Sequence, residues 1–118
     1  LKVSGPFHSP MMRPAGEELA KVFARVSMNP LKIPYVANIN AEVITDCGRI
    51  EGLLVEQVSG SVRWQQSVET MIREGVDTFV EIGPGKTLTG FLRKIDKNVK
   101  ADHIGSWEEA VQVCEELK

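Results

Sequence analysis

The 118-residue sequence is poor in the residues that most often carry metal or redox chemistry, with two cysteines and two histidines. Cys47 and Cys114 show no C-x-x-C and no Cys/His pair at ligand spacing, so a structural zinc site is excluded and a disulfide framework is disfavoured. Reduced thiols fit a cytoplasmic protein. No stretch approaches the ~18 consecutive apolar residues of a membrane span, and no basic-then-apolar leader stands at the start, so no membrane partner is expected. Charge of one sign is also missing. Sixteen acidic and fourteen basic residues leave a formal net charge of −2, which argues against nucleic acid as a partner. The chain opens on Leu1 instead of methionine, as expected of a fragment or a processed product.

What is present is ordinary globular composition, 42% hydrophobic and 25% charged, enough for one core. Leu1-Lys2-Val3 reads as a short extended piece. Ser9 and Pro10 then suit a helix start, with Ser9 as cap. Met12, Ala15, Leu19, Val22, Phe23 and Val26 give one apolar face up to a stop at Asn29-Pro30. The Ile33 to Ile39 segment predicts a strand around Tyr35-Val36-Ala37. Asp46-Cys47-Gly48 predicts a turn, and Ile50, Leu53 and Leu54 a helix to about Val58. Val68, Met71 and Ile72 mark a further helix closed by Gly75. Thr78 to Ile82 is the clearest strand, followed by Gly83-Pro84-Gly85 and a helix faced by Leu88, Phe91, Leu92 and Ile95. Ala101 to Ile104 reads as a strand. Ser106 and Glu109 form a capping box on a last helix, with Trp107, Ala110, Val111, Cys114 and Leu117 as its inner stripe. Strands alternating with helices imply an α/β fold with parallel pairing.

Three features invite a functional reading. Gly85-Lys86-Thr87 matches the end of a phosphate-binding P-loop, but the first glycine of that pattern falls at Val80. The dinucleotide pattern starts at Gly83 and Gly85 and fails at Leu88. The plain alternative is a tight strand-to-helix turn. His8 lies in a loop just before the first helix and could serve as a base, yet none of the serines lies in G-x-S-x-G. From Lys86 to Lys100 there are five basic residues against the single acid Asp96. That stretch is either a solvated face or a docking surface for an acidic partner.

Four segments in order carry a family likeness: Val3-Ser4-Gly5-Pro6-Phe7-His8-Ser9-Pro10-Met11-Met12; Pro34-Tyr35-Val36-Ala37-Asn38-Ile39; Gln57 followed by Ser61-Val62-Arg63-Trp64; and Phe79-Val80-Glu81-Ile82-Gly83-Pro84-Gly85-Lys86-Thr87-Leu88-Thr89-Gly90. The series resembles the C-terminal part of bacterial malonyl-CoA:acyl carrier protein transacylases. The resemblance implies that residues 1–118 form the C-terminal part of an α/β-hydrolase-like core with mainly parallel strands and flanking helices. It implies transfer of malonyl from coenzyme A to acyl carrier protein through a serine ester, for fatty-acid synthesis. His8 would be the catalytic histidine, the backbone carbonyl of Gln57 would orient it, and Phe7 would contact substrate and bias the site toward malonyl. No metal or resident cofactor is implied, since phosphopantetheine arrives on the carrier protein. The family's nucleophilic serine, its carboxylate-binding arginine and its oxyanion loop are absent from these residues, so the N-terminal portion of the same enzyme is an implied partner. Two other classes stay open: a non-catalytic docking domain descended from an acyltransferase, and a P-loop-like nucleotide-binding module using Lys86 and Thr87.

Overall fold

The computed structural model describes residues 5–117. The expected extended piece at Leu1-Lys2-Val3 lies outside them. The chain divides into two compact units, one ending at Thr70 and the other beginning at Met71.

The first unit opens with a 3-10 turn, Pro10–Met12, that leads into helix α1 (Arg13–Phe23). Proline stands in the first turn of both, where a missing N–H costs nothing. Ser9 makes no capping bond; its hydroxyl donates to the carbonyl of Pro6 instead. Helix α1 also stops earlier than the apolar spacing suggested. After Phe23 the backbone tightens into two three-residue steps, Arg25 N–H to Val22 and Val26 N–H to Phe23. Val22 and Val26 are half exposed, so no buried face sustains a further helical turn. The helix packs on α2 (Ile50–Ser59) through its one buried residue, Gly16. A Cβ there would lie 3.2 Å from the Val55 carbonyl oxygen, so the absent side chain sets the closeness of the two helices.

Strand β1 (Tyr35–Val36) pairs antiparallel with β2 (Val43–Ile44), with Tyr35 opposite Ile44. This hairpin departs from the parallel pairing that the alternation predicts, and β2 lies in a segment with no strand prediction. Its turn is held by the Ala37 and Ala41 backbone N–H groups and by the Asn40 side-chain oxygen, which accepts from Glu42 N–H. Asp46 closes the predicted turn by accepting from Gly48 N–H at 2.8 Å. Helix α3 (Trp64–Arg73) is tied to the hairpin where Arg63 N–H donates to the Asn38 carbonyl and the Thr70 hydroxyl to that of Ala41. Among the described residues of this unit the buried apolar ones are Ala37, Ala41, Ile44 and Val68.

Gly75 ends α3 as predicted, with φ of +92°; the Gly75 and Val76 N–H groups reach back to Ile72 and Met71. In the second unit β3 (Thr78–Ile82) and β4 (Lys100–Ile104) form the expected parallel pair, Thr78 opposite Lys100 through Ile82 opposite Ile104. Helices α4 (Thr87–Ile95) and α5 (Trp107–Glu116) pack against these strands, with Leu92, Thr89 and Val113 buried. Ser106 caps α5 as expected, its Oγ accepting from Glu109 N–H, while the Glu109 carboxylate reaches back one residue beyond the cap to Gly105 N–H. The stripe assigned to the inner face of α5 is corrected. Val113 is the buried residue, whereas Trp107 is 78% exposed, and Val111, Cys114 and Leu117 are exposed too. Leu88 and Phe91 of α4 are likewise half exposed. Helix–strand alternation around a parallel pair makes the fold α/β.

Candidate active site

His8 sits in the loop before the Pro10–Met12 turn, exposed, in the left-handed backbone region at φ +57°. A non-glycine residue is uncommon there, and such residues concentrate where surrounding contacts hold a side chain in one orientation. Its Nδ1 lies 2.9 Å from the backbone carbonyl oxygen of Gln57 in the last turns of α2. A carbonyl can only accept, so Nδ1 carries the hydrogen, and in the neutral ring the lone pair is on Nε2. The Gln57 side-chain nitrogen is 3.4 Å from the same Nδ1, but a protonated Nδ1 cannot accept from it. That amide instead donates to the Gly60 carbonyl at 2.9 Å, pinning the end of α2. The structure therefore brings His8 and Gln57 together across 49 positions of sequence. Phe7, next to His8, is 61% exposed.

Gln57 also lines a cavity of about 130 Å³ with Tyr35, Val36, Asn38 and Leu53, among others. Burial pushes the Tyr35 phenol above its ordinary value, and the Arg49 guanidinium pulls the other way. Among the described residues, no group of three or more His, Cys, Asp or Glu side chains could hold a metal ion. No helix among them is long and apolar enough to cross a membrane.

The Gly83–Lys86 turn has the backbone of a tight strand-to-helix connection, with Gly83 at φ +141° and Gly85 at +88°. A residue that sequence reasoning passed over decides its chemistry. The Glu81 carboxylate accepts from Leu88 N–H at 3.1 Å and from the N–H and hydroxyl of Thr89, both at 2.7 Å. These are the N–H groups a phosphate would take at the start of α4, and a fixed anion already occupies them. The geometry disfavours a nucleotide site at Lys86 and Thr87. The overlooked signal was an acid near the end of a strand, leading into a helix whose cap position, Lys86, cannot accept a hydrogen bond. Opposite Glu81 in the register, His103 bonds the Gly83 carbonyl through Nε2 at 2.9 Å. Within the basic stretch, Arg93 and Lys97 line a cavity of about 430 Å³ together with Asp96.

The hydrogen bonds from Thr89, hydroxyl first, hold the Glu81 carboxyl below the ordinary carboxylate range. Those from Gly105 N–H do the same for Glu109. A carboxylate whose folded pKa is depressed stabilises the fold fully above its unfolded pKa and loses that contribution as pH falls through the folded one. Glu81→Gln should therefore melt below the parent at neutral pH, and the gap should close as the pH falls through the ordinary carboxylate range and below it. A gap unchanged across a thermal-melt series over that range would contradict the assignment.

No protein-family model matches the chain. The malonyl CoA-acyl carrier protein transacylase of Bacillus subtilis (strain 168) is 38% identical over 118 residues, which is all of this chain and 37% of that protein. The chain belongs to the malonyl CoA-acyl carrier protein transacylase family. It spans a little over a third of the length of the curated relatives it matches. The solved transacylase of Streptococcus pneumoniae superposes with a TM-score of 0.90 at 40% identity, covering 98% of this chain and 38% of that one. A malonyl-transacylase in complex with its type II PKS acyl-carrier protein gives a TM-score of 0.91 at 31% identity, again over 98% and 38%.

Proposed function

We propose that this chain is the C-terminal portion of a malonyl-CoA:acyl carrier protein acyltransferase that works in the cytoplasm in fatty-acid synthesis, and that it supplies the histidine of the active site. The observation that carries the reading is the His8 Nδ1 contact with the Gln57 carbonyl at 2.9 Å. Of the two neutral forms the contact selects the Nδ1–H tautomer, which leaves the Nε2 lone pair for a general base to use. A neutral carbonyl here does the orienting that a carboxylate does in a Ser-His-Asp triad, and it stabilises imidazolium less.

In this reading a serine from sequence outside the chain gives its hydroxyl proton to His8 Nε2 as its oxygen adds to the malonyl thioester carbonyl. Collapse of the adduct breaks the carbon–sulfur bond, and coenzyme A leaves with the proton returned from the imidazolium. The carrier's pantetheine thiol then gives its proton to Nε2 as its sulfur adds to the ester carbonyl. The carbon–oxygen bond to serine breaks, the imidazolium returns the proton to the serine oxygen, and malonyl leaves as the carrier's thioester. In this reading the bulky ring of Phe7, exposed beside His8, crowds an α-methyl group on the acyl chain. One methyl is worth only ~1–3 kcal/mol of discrimination, so Phe7 biases selection toward malonyl without making it absolute. The relative captured with its carrier supports acyl carrier protein as partner. The Lys86 to Lys100 stretch offers an acidic partner a surface of opposite charge.

The test uses the full-length protein. Malonyl-CoA alone should leave a malonyl group on the enzyme, seen by intact-protein mass spectrometry, and added holo-acyl carrier protein should remove it. Failure to form the adduct would overturn the reading and favour the non-catalytic docking alternative.

A further inference from the structure

We propose that Ser9 is a positioning residue for His8, an inference that rests on the reading of His8 as the general base. His8 reaches the Gln57 carbonyl from a backbone at φ +57°, a conformation that a side chain with a Cβ disfavours. Something local must hold it there. The Ser9 hydroxyl donates to the Pro6 carbonyl at 2.7 Å, closing a short ring of backbone around Phe7 and His8. Pro6 enters that ring with its own φ already fixed by the pyrrolidine.

The two ends of the contact are thus held by separate clamps. The Gln57 amide on the Gly60 carbonyl steadies the acceptor, and the Ser9 hydroxyl on the Pro6 carbonyl steadies the donor. Ser9 was expected to cap the first helix. Its cap function is unused, and the hydroxyl is turned back onto the loop that carries the imidazole. When that hydroxyl is lost, the His8 backbone can relax toward negative φ. Nδ1 then leaves the carbonyl, and the ring redistributes between its two neutral tautomers. Only the Nδ1–H tautomer leaves Nε2 free to take a proton.

The experiment compares Ser9→Ala, Ser9→Thr and His8→Ala in the full-length enzyme. The readouts are steady-state malonyl transfer and the ring-nitrogen NMR shifts of His8. Loss of one neutral hydrogen bond should lower kcat about three- to ten-fold in Ser9→Ala with KM for malonyl-CoA unchanged, and the threonine hydroxyl should restore it. The ring shifts should report one tautomer in the parent and a mixture in Ser9→Ala. Parental kcat and an unmixed tautomer in Ser9→Ala, beside an inactive His8→Ala, would overturn the role of Ser9 alone. So would equal losses in the alanine and threonine variants. Parental activity in His8→Ala would instead overturn the underlying assignment of the base.

Discussion

Replacing His8 with alanine in the full-length protein is expected to lower kcat/KM for malonyl transfer by about 10²- to 10⁴-fold, the contribution of a positioned general base. The fold should not suffer with it. His8 is exposed, and its hydrogen bond joins a loop to the end of α2 without filling any buried volume. A thermal midpoint near that of the parent would separate lost chemistry from lost structure. His8→Asn serves as the control for backbone geometry, since asparagine tolerates positive φ better than most residues but cannot act as a base at neutral pH. Both variants should therefore be impaired alike. If alanine cripples transfer while asparagine leaves it intact, the residue matters for its backbone and not for its imidazole. Activity within a few-fold of the parent in both would end the assignment of His8.

The site was less legible in the sequence than the fold was. Local patterns reach a few residues in either direction, and within that range they succeed. Thr78 to Ile82 reads as a strand because β-branched and aromatic residues crowd a pleated surface. Gly75 ends α3 because a left-handed cap favours glycine, and Ser106 with Glu109 caps α5 through paired hydrogen bonds. The contact between His8 and Gln57 has no such local signature. It spans 49 positions and uses a backbone carbonyl, which every residue type possesses, so residue identity alone cannot reveal it. Only the likeness to an acyltransferase family pointed to Gln57.

Periodicity misled where apolar residues lack a cover. Val22 and Val26 continue the spacing of α1, and Trp107, Val111 and Cys114 keep the spacing of α5, yet all of them are exposed. Spacing reports which side chains share a face; it does not report whether anything is packed on that face. Glu81 shows the converse. A charged residue inside a strand reads as a solvent-facing position, but here the carboxylate turns to the start of α4 and takes the N–H groups that glycine-rich turns often offer to phosphate. Its three bonds convert what looked like half of a nucleotide motif into a structural joint.

Ile44→Ala should be the most damaging core substitution, with a loss of about 2–5 kcal/mol in denaturant unfolding. Ile44 is fully buried, at 0% exposure, and stands opposite Tyr35 in a hairpin with only two residues in each strand. The buried neighbours in that hairpin, Ala37 and Ala41, are already small, so little side-chain volume is available to move into the space left behind. The Ala41 carbonyl is also tied to the Thr70 hydroxyl, which resists collapse of the backbone. A poorly collapsing cavity puts the expected cost toward the upper end of the range. Ile33→Ala is the matched control, because Ile33 is 76% exposed and its truncation should change stability by no more than about 0.5 kcal/mol. Equal effects in the two variants would show that this hairpin does not organise the first unit. The hairpin residues Tyr35 to Asn38 and Gln57 line one cavity. At temperatures where Ile44→Ala remains folded, its transfer activity should stay close to parental, since the His8–Gln57 bond itself involves no hairpin residue.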